Sequence, residues 1–182
     1  MNIISKIEQA WRLLQQGKLI AYPTEAVYGI GCDPFNQEAV AKLLALKQRA
    51  PEKGLIILIA DWAQLTPLIT PISQASMSAV KNTWPGPTTW IFPKSALIPD
   101  WLCGNNQTIA IRMSAHPVAS QLSIPAPVVS TSANLSGDNA ARNLAELSLQ
   151  FPHGIDAVVA GELGGRSQPS AIFEVLTGRQ LR

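Results

Sequence analysis

The spacing of apolar residues near the N-terminus predicts a first helix. Apolar side chains recur at helical spacing from Ile3 to Leu14. Ser5 and Glu8 stand at the spacing of a capping box for this helix, and Gly17 stands where the helix would end.

The remaining apolar segments predict further strands and helices that are separated by turns. Asn36 is placed to cap a second helix, which runs to about Lys47 or Gln48 before Pro51. The run Leu55–Ile59 is apolar without alternation, which is typical of a strand covered on both faces. Shorter apolar segments predict strands at 19–22, 90–92, 109–112, 128–130, 157–159 and 171–175, and periodic segments predict helices at 76–84, 117–122 and 144–150. This mixture predicts an α/β fold, in which helices pack on a sheet.

Composition restricts the class of protein. The chain has 182 residues, 47% hydrophobic and 14% charged, which suits one folded domain and excludes a disordered chain. Its longest strongly apolar run, 55–60, is far shorter than the ~20 residues that span a bilayer as a helix. Acidic and amide residues interrupt the N-terminal apolar positions, so no signal peptide is predicted. We therefore expect a cytoplasmic protein.

Cysteine, histidine and charge exclude two further kinds of site. Cys32, Cys103, His116 and His153 form no CxxC or HExxH spacing, so the sequence predicts no metal site built by the protein. The net charge of +2, from 14 basic and 12 acidic residues, is too even to indicate a dominant nucleic-acid surface. Any anion site must therefore be local.

Several polar segments follow predicted strands directly, which is where open α/β sheets place their ligands. Segment 22–31 contains Gly-x-Gly but lacks the third glycine of a dinucleotide fingerprint, which favours an ordinary turn. Lys47, Arg49 and Lys53 place three cations at a helix end and in the loop before a buried strand. These cations suit a phosphate clamp and a solvated helix C-terminus equally well.

A second group of candidates lies on the later strands. Thr108 and Arg112 are four residues apart on one predicted strand, so their side chains share a face. Arg112 is surrounded by apolar residues, and it either pairs with a structural carboxylate or holds an anionic ligand. The polar run 130–134 favours a helix cap or a hydroxyl turn over a nucleophile, because no G-x-S-x-G elbow surrounds Ser132. A glycine-rich approach leads to Ser170 before the last strand.

Read together, these segments resemble the YrdC (TsaC) family of threonylcarbamoyl-AMP synthases, in its short free-standing bacterial form. The matching pieces follow the family's order and cover nearly the whole chain: Tyr-Pro-Thr-Glu at 22–25, Lys-Gln-Arg at 47–49, Pro-Gly-Pro-Thr at 85–88, Ala-Ile-Arg at 110–112, His-Pro at 116–117, Ser-Thr-Ser-Ala-Asn-Leu-Ser-Gly at 130–137 and Pro-Ser at 169–170. The resemblance implies a single YrdC-like domain over residues 1–182, with a twisted mixed β-sheet, flanking helices and a concave ligand cleft.

The resemblance also implies a reaction. ATP, L-threonine and bicarbonate would give threonylcarbamoyl-AMP and pyrophosphate, for threonylcarbamoyladenosine modification of tRNAs that read codons beginning with A. Mg²⁺ would accompany ATP, no covalent nucleophile would be needed, and the TsaB–TsaD–TsaE complex of bacteria would accept the product. Catalysis would consist of positioning by Lys47, Arg49 and Arg112.

By the same resemblance, ligand contacts are assigned to ten residues. The ATP-binding residues would be Lys47, Arg49, Lys53, Thr108, Ser132, Asn134 and Arg182, and the threonine-binding residues would be Arg112, Ser130 and Ser170. Some relatives have Thr at the position of Ala26 and His at that of Leu58, and both are associated there with bound threonine. These two departures leave the selection of the amino acid open.

A different class remains as an alternative. A concave, locally basic surface would also suit a non-catalytic RNA-binding or ribosome-maturation protein with weak affinity for tRNA. Such a protein would bind with a steep salt dependence and would need neither ATP nor threonine. A serine hydrolase acting through Ser132 is a more distant alternative.

Overall fold

The computed structural model describes residues 2–182, which form nine strands and seven α-helices. The strands are β1 Ile3–Ile4, β2 Ile20–Pro23, β3 Tyr28–Cys32, β4 Ile56–Ile59, β5 Thr88–Pro93, β6 Thr108–Met113, β7 Val128–Ser132, β8 Ala157–Val159 and β9 Ala171–Glu174. The α-helices are α1 Ile7–Gln15, α2 Gln37–Leu46, α3 Trp62–Leu65, α4 Gln74–Lys81, α5 Asp100–Cys103, α6 Pro117–Ser123 and α7 Leu144–Gln150. The predicted α/β fold class is confirmed.

The strands form one open, mixed sheet in the order β1-β8-β2-β3-β7-β4-β6-β5-β9. The pairs β1/β8, β2/β8, β4/β6 and β5/β9 are parallel, and the pairs β2/β3, β3/β7, β4/β7 and β5/β6 are antiparallel. None of the helices in residues 2–182 has the length and hydropathy needed to cross a membrane.

The predicted start of the first helix is wrong. Ile3 and Ile4 form β1, which pairs in parallel with β8, and α1 begins only at Ile7. The residue before the helix is Lys6, whose side chain makes no capping hydrogen bond, so the predicted capping box does not form. β-Branched isoleucines suit a strand when a partner is available, and here that partner lies near the other end of the chain. Gly17, with φ +71°, ends the helix as predicted.

The predicted turn over 22–31 is only half right. The turn is confined to 24–27, and Tyr28–Cys32 forms β3, a central strand between β2 and β7. Gly31 permits a close approach here, because a Cβ atom on it would lie 2.6 Å from the Val129 carbonyl oxygen and 3.0 Å from the Tyr22 ring. Gly29 and Gly31, which suggested a loop in the sequence, therefore make room for the buried ring of Tyr22.

The two faces of the sheet have different surroundings. Along β6, Ile109 and Ile111 belong to the main core, and the alternate residues Thr108 and Arg112 line a cavity on the other face. Leu43 of α2 packs into the main core. On the cavity face, a smaller core between α1 and α6 covers the sheet near β2 and β8. The uncovered part of that face is the floor of the cavity.

Candidate functional site

A cavity of about 920 Å³ lies on the uncovered face of the sheet. Paired residues of β4, β6 and β7 form successive rows across the cavity floor, and these rows define its two ends. Across β7, β4 and β6, Val128, Leu58 and Arg112 share one row, and Ser130, Ile56 and Ala110 share the next. We call the first row, with Glu25 and Ala26 beside it, the Arg112 end.

The opposite end of the cavity lies towards the N-terminal ends of β4 and β6 and the C-terminal end of β7. Thr108 precedes Arg112 by four residues on β6, which separates their Cα atoms by about 13 Å. Arg49 lies in this region, because its Nη2 donates a hydrogen bond at 2.8 Å to the carbonyl oxygen of Gly54, two residues before Ile56. Lys53 precedes Gly54 directly, and Ser132 lies two residues beyond Ser130, the partner of Ile56; Arg49, Lys53 and Ser132 all line the cavity. We call these three residues and Thr108 the Arg49 end.

Nine of the ten predicted site residues line this cavity, namely Arg49, Lys53, Thr108, Arg112, Ser130, Ser132, Asn134, Ser170 and Arg182. The tenth, Lys47, lines an adjoining pocket of about 160 Å³. This pocket shares Arg49, Lys53, Ser132 and Asn134 with the larger cavity, so it opens at the Arg49 end. The structure therefore brings the predicted residues together, and their individual roles toward ligands stay predictions.

Lys47 holds the loop that follows β7. Its side chain is buried, with 2% of the residue exposed, and Nζ donates hydrogen bonds to the carbonyl oxygens of Ser132 and, at 2.6 Å, of Asn134. Burial, together with the positive charge of Arg49, lowers the pKa of Lys47 to about 8. This anchoring contact was missed by the sequence analysis, since a backbone carbonyl leaves no signal in the sequence.

Three further guanidinium groups, those of Arg49, Arg142 and Arg182, line the cavity without a carboxylate partner among residues 2–182. Arg182 donates from Nε and Nη2 to the Ser170 carbonyl oxygen, at 3.2 and 2.9 Å. Burial, then the charge of Arg182, lowers the pKa of Arg49, and burial, then the charge of Arg112, lowers the pKa of Arg182. The cations of the cavity therefore act on one another.

Arg112 is the exception, because a carboxylate pairs with it. Its Nη2 forms an ion pair with Glu25 Oε2, and its Nε donates to the Gly86 carbonyl oxygen at 3.1 Å. Of the two possibilities that the sequence left open, the structure shows the carboxylate partner. Nη1 has no hydrogen-bond partner in the part of the chain that the structure describes, so it remains available to a ligand.

Glu25 is a site residue that the sequence analysis did not single out. Its Oε1 accepts hydrogen bonds from Ser114 Oγ at 2.8 Å and from the Ala115 backbone N–H at 3.1 Å. Burial works to raise the pKa of Glu25, but the charge of Arg112 and these hydrogen bonds outweigh it, and the pKa lies below its usual value. The sequence did contain a signal for this residue, since Glu25 is the last residue of the Tyr-Pro-Thr-Glu segment on which the family resemblance partly rests.

The hydroxyl groups of the site are oriented by fixed partners. Tyr22 Oη donates to Ser130 Oγ at 2.7 Å, which leaves the Ser130 hydroxyl hydrogen for an acceptor in the cavity. Ser170 Oγ lies 3.0 Å from Thr89 Oγ1. Ser132 Oγ donates to Asn134 Oδ1 at 2.6 Å, so Asn134 orders the loop.

The arrangement does not support a serine hydrolase. Neither histidine lines the cavity, and the buried ring of His116 has its Nε2 2.9 Å from the Glu162 carbonyl oxygen. Ser132 therefore has no histidine base among residues 2–182. Within the same residues, no group of three or more acidic, cysteine or histidine side chains is placed to hold a metal ion.

Comparison with known proteins identifies similar sequences over almost the whole chain. The Sua5/YciO/YrdC family model, described as telomere recombination, matches residues 12–182. A protein of Coxiella burnetii named threonylcarbamoyl-AMP synthase is 46% identical over 178 residues, covering 97% of this chain and 96% of its own. A protein of the same name from Cellvibrio japonicus is 45% identical over 179 residues, covering 97% and 95%.

Solved structures show the same fold. A double variant of P. abyssi Sua5 matches with a TM-score of 0.92 and 31% identity, covering 99% of this chain and 59% of that one. P. abyssi Sua5 complexed with L-threonine matches with a TM-score of 0.88 and 30% identity, covering 95% and 53%. This chain therefore spans little more than half the length of Sua5. E. coli YciO, at 21% identity and a TM-score of 0.82, supports the fold alone.

Proposed function

The chain belongs to the Sua5/YciO/YrdC family, and on that premise we propose that it is a threonylcarbamoyl-AMP synthase. Its substrates are ATP, L-threonine and bicarbonate, and its products are threonylcarbamoyl-AMP and pyrophosphate. The observation that carries this proposal is one cavity with two cationic ends, only one of which is paired with a carboxylate. We place the activity in one YrdC-like domain that works in the cytoplasm.

The reaction must assemble several anions in one place. The amine of threonine combines with bicarbonate to give a carbamate and water. A carbamate oxygen then attacks the α-phosphate of ATP, the bond to the β-phosphate oxygen breaks, and pyrophosphate leaves. Because all of these groups are negatively charged, the site must offset their mutual repulsion and align them. The cations and hydroxyls of the cavity supply both functions, and no protein nucleophile is needed.

The Arg112 end suits the amino acid. Arg112 offers Nη1 to the threonine carboxylate, and hydroxyl groups come from Ser130 on β7 and from Ser170 in the loop before β9. Ala26 and Leu58 place apolar surface here, where some relatives have Thr and His. The threonine methyl group therefore meets apolar side chains, and its hydroxyl group must be recognised by the serines.

The Arg49 end suits the nucleotide phosphates. Arg49 and Lys53 at this end, and Arg182 between the two ends, carry charges that no protein carboxylate neutralises within residues 2–182. Thr108 and Ser132 add hydroxyl groups. The adjoining pocket, lined by Lys47 and by the loop around Asn134, is placed to receive the leaving pyrophosphate. Carbonyl oxygens already hold Arg49 and Arg182 in place, and donors that are preorganised in this way stabilise charge with little reorganisation during the reaction.

Magnesium is proposed to enter with ATP. Mg²⁺ commonly keeps several waters and is held by substrate phosphates with one or two carboxylates. Asp138 lines the cavity and could supply one such carboxylate, whereas Glu146 accepts hydrogen bonds from the Arg142 backbone and the Asn143 side chain. When bound, the ion offsets the charge of the triphosphate.

Incubation of the purified protein with ATP, Mg²⁺, threonine and ¹⁴C-bicarbonate tests the proposal. We expect labelled threonylcarbamoyl-AMP by chromatography and mass spectrometry, with one pyrophosphate released per adenylate and neither product when threonine is omitted. Binding of RNA with a steep salt dependence, without adenylate formation, would support the RNA-binding alternative instead.

A separate complex is proposed to complete the tRNA modification. The formal net charge of +2 provides no dominant surface for tRNA, so we propose that the adenylate passes to a partner such as the bacterial TsaB–TsaD–TsaE complex. Purified protein given its substrates and unmodified tRNA should release pyrophosphate and leave the tRNA unchanged until that complex is added. Enzymatic modification of tRNA by this chain alone would refute the proposal that a separate complex carries out that step.

A further inference from the structure

We propose that Glu25 sorts the two anionic substrates by neutralising Arg112. The Arg112 end then accepts a singly charged carboxylate and rejects phosphate groups, which bind the unpaired cations of the Arg49 end. This role rests on the proposed function, because it concerns which end of the cavity each substrate enters.

The ion pair between Glu25 and Arg112 is fixed on both sides. Glu25 is 8% exposed and Arg112 is 9% exposed. Ser114 and Ala115 hold the second carboxylate oxygen, and Gly86 holds Nε of the guanidinium. These contacts anchor the carboxylate beside Arg112 and so keep its negative charge at this end of the cavity.

The backbone around Glu25 is held as firmly as the side chain. The Arg166 backbone N–H donates to the Glu25 carbonyl oxygen at 2.9 Å. Gly164 approaches so closely that a Cβ atom on it would lie 2.9 Å from the Glu25 Cα atom. Arg142 donates to the carbonyl oxygens of Arg166 and Ser167, at 3.0 and 3.2 Å, and so fastens the same segment to the cavity wall.

The other cations of the cavity have no such partner. The ion pairs recorded within residues 2–182 are Lys18–Asp156, Lys94–Asp100 and Arg112–Glu25, and only the last lies in the cavity. Arg112 is nevertheless close enough to Arg182 for its charge to act there. Without Glu25, Arg112 would therefore extend the positive region along the whole cavity, and phosphate groups would compete with threonine.

Inhibition by pyrophosphate tests the sorting role. In the wild-type protein, pyrophosphate should compete with ATP and not with threonine. In Glu25→Gln, pyrophosphate should become competitive with threonine as well as with ATP, since the charge that opposed it at the Arg112 end is gone. A merely structural role for Glu25 would raise the threonine KM and leave the competition pattern unchanged, which would overturn the proposal.

Two matched variants separate charge from packing. Ser114→Ala removes one hydrogen bond to Glu25 and retains the carboxylate, so the wild-type competition pattern should persist. Glu52→Gln removes an exposed carboxylate that does not line the cavity, and its kinetics should match those of the wild type. A switch to competition with threonine in either variant would contradict the assignment to the Glu25 charge.

A measurement on the wild-type protein keeps the proposal testable if Glu25→Gln does not fold. Titration calorimetry with threonine, with and without excess inorganic phosphate, should give the same dissociation constant. A dissociation constant that rises in proportion to phosphate overturns the sorting role. Absence of threonine binding under both conditions and of adenylate formation would instead refute the proposed function, so the two failures are distinguishable.

Discussion

The two ends of the cavity stabilise buried cations in different ways. At the Arg112 end, a guanidinium that is 9% exposed is paired with the carboxylate of Glu25. In the pocket that adjoins the Arg49 end, the ammonium of Lys47, which is 2% exposed, is held by two backbone carbonyl oxygens and lies close enough to Arg49 to be repelled. A carboxylate cancels the charge of its partner, whereas carbonyl dipoles stabilise the charge and leave it in place.

This difference decides what each end can bind. A neutralised ion pair still offers hydrogen bonds to a carboxylate but exerts a weak net field on a triphosphate. An uncancelled cluster of cations attracts multiply charged phosphates strongly. The partners of the cations in a cavity therefore determine its ligands more than the number of cations does.

The largest expected effect follows from breaking the ion pair. Arg112→Ala leaves Glu25 buried without its partner, so the free energy of unfolding should fall by about 3–5 kcal/mol. Urea denaturation measures this loss, and Arg112→Ala/Glu25→Gln should recover part of it. In folded protein, the threonine KM of Arg112→Ala should rise roughly tenfold to hundredfold. Equal stability of Arg112→Ala and the wild type would contradict the pairing.

Removal of the other buried cation should have a smaller effect on stability. Lys47→Met leaves the Asn134 carbonyl without its donor, whereas the Ser132 carbonyl keeps the Asn134 backbone N–H, and no carboxylate is left buried and unpaired. We therefore expect a loss of about 1–3 kcal/mol in unfolding free energy. Titration calorimetry should show the ATP dissociation constant raised roughly tenfold to hundredfold, with little change for threonine. Lys42→Met, on the exposed side of α2, is the matched control and should bind ATP normally. Unchanged ATP affinity in Lys47→Met would argue against the Arg49 end as the phosphate site.

A single hydroxyl group tests the orientation of the Arg112 end. Tyr22→Phe removes the donor to Ser130 Oγ, so the threonine KM should rise about fivefold, the effect of one hydrogen bond of about 1 kcal/mol. The KM for ATP should not change. Because both residues act through one contact, Tyr22→Phe/Ser130→Ala should behave like Ser130→Ala alone. Additive effects of the two substitutions in steady-state kinetics would show that Tyr22 does not act through Ser130.

The smallest expected effect is a pH dependence of ATP binding. Lys47 has a pKa of about 8 in the free protein, and bound phosphates favour its charged form and raise that pKa. Above about pH 8, ATP binding should therefore take up a proton, and affinity should fall as pH rises, by about fivefold between pH 7.5 and 9. Calorimetry in buffers of different ionisation enthalpy measures the uptake. A flat profile in the wild type contradicts the role of Lys47, and Lys47→Arg should be flat.

Much of the fold could be predicted because its signals are local. The continuous apolar run at β4 and the periodic segment at α7 each indicate their element without reference to the rest of the chain. The two errors have distant causes. Ile3 and Ile4 form a strand only because β8 lies beside them, and β3, in spite of its two glycines, forms a strand because β7 pairs with it from much further along the chain.

The candidate site could likewise be predicted only in part. The order of short motifs was sufficient to collect nine cavity-lining residues, since motif residues follow strands and strand ends meet at one site. The partners of those residues could not be predicted. Glu25 and Arg112 lie far apart in sequence, and the acceptors of Lys47 are backbone atoms that any residue would provide.

NMR of the arginine side chains tests most directly the division of substrates between the two ends, with threonine at the Arg112 end and ATP at the Arg49 end. The Nε–H groups of Arg49, Arg112 and Arg182 can be assigned from single Arg→Lys variants and followed during separate titrations with threonine and with ATP. The division predicts that threonine shifts the Arg112 signal and that ATP shifts those of Arg49 and Arg182, with Arg112 changing little. ATP binding that shifts the Arg112 signal as strongly as threonine does would contradict it.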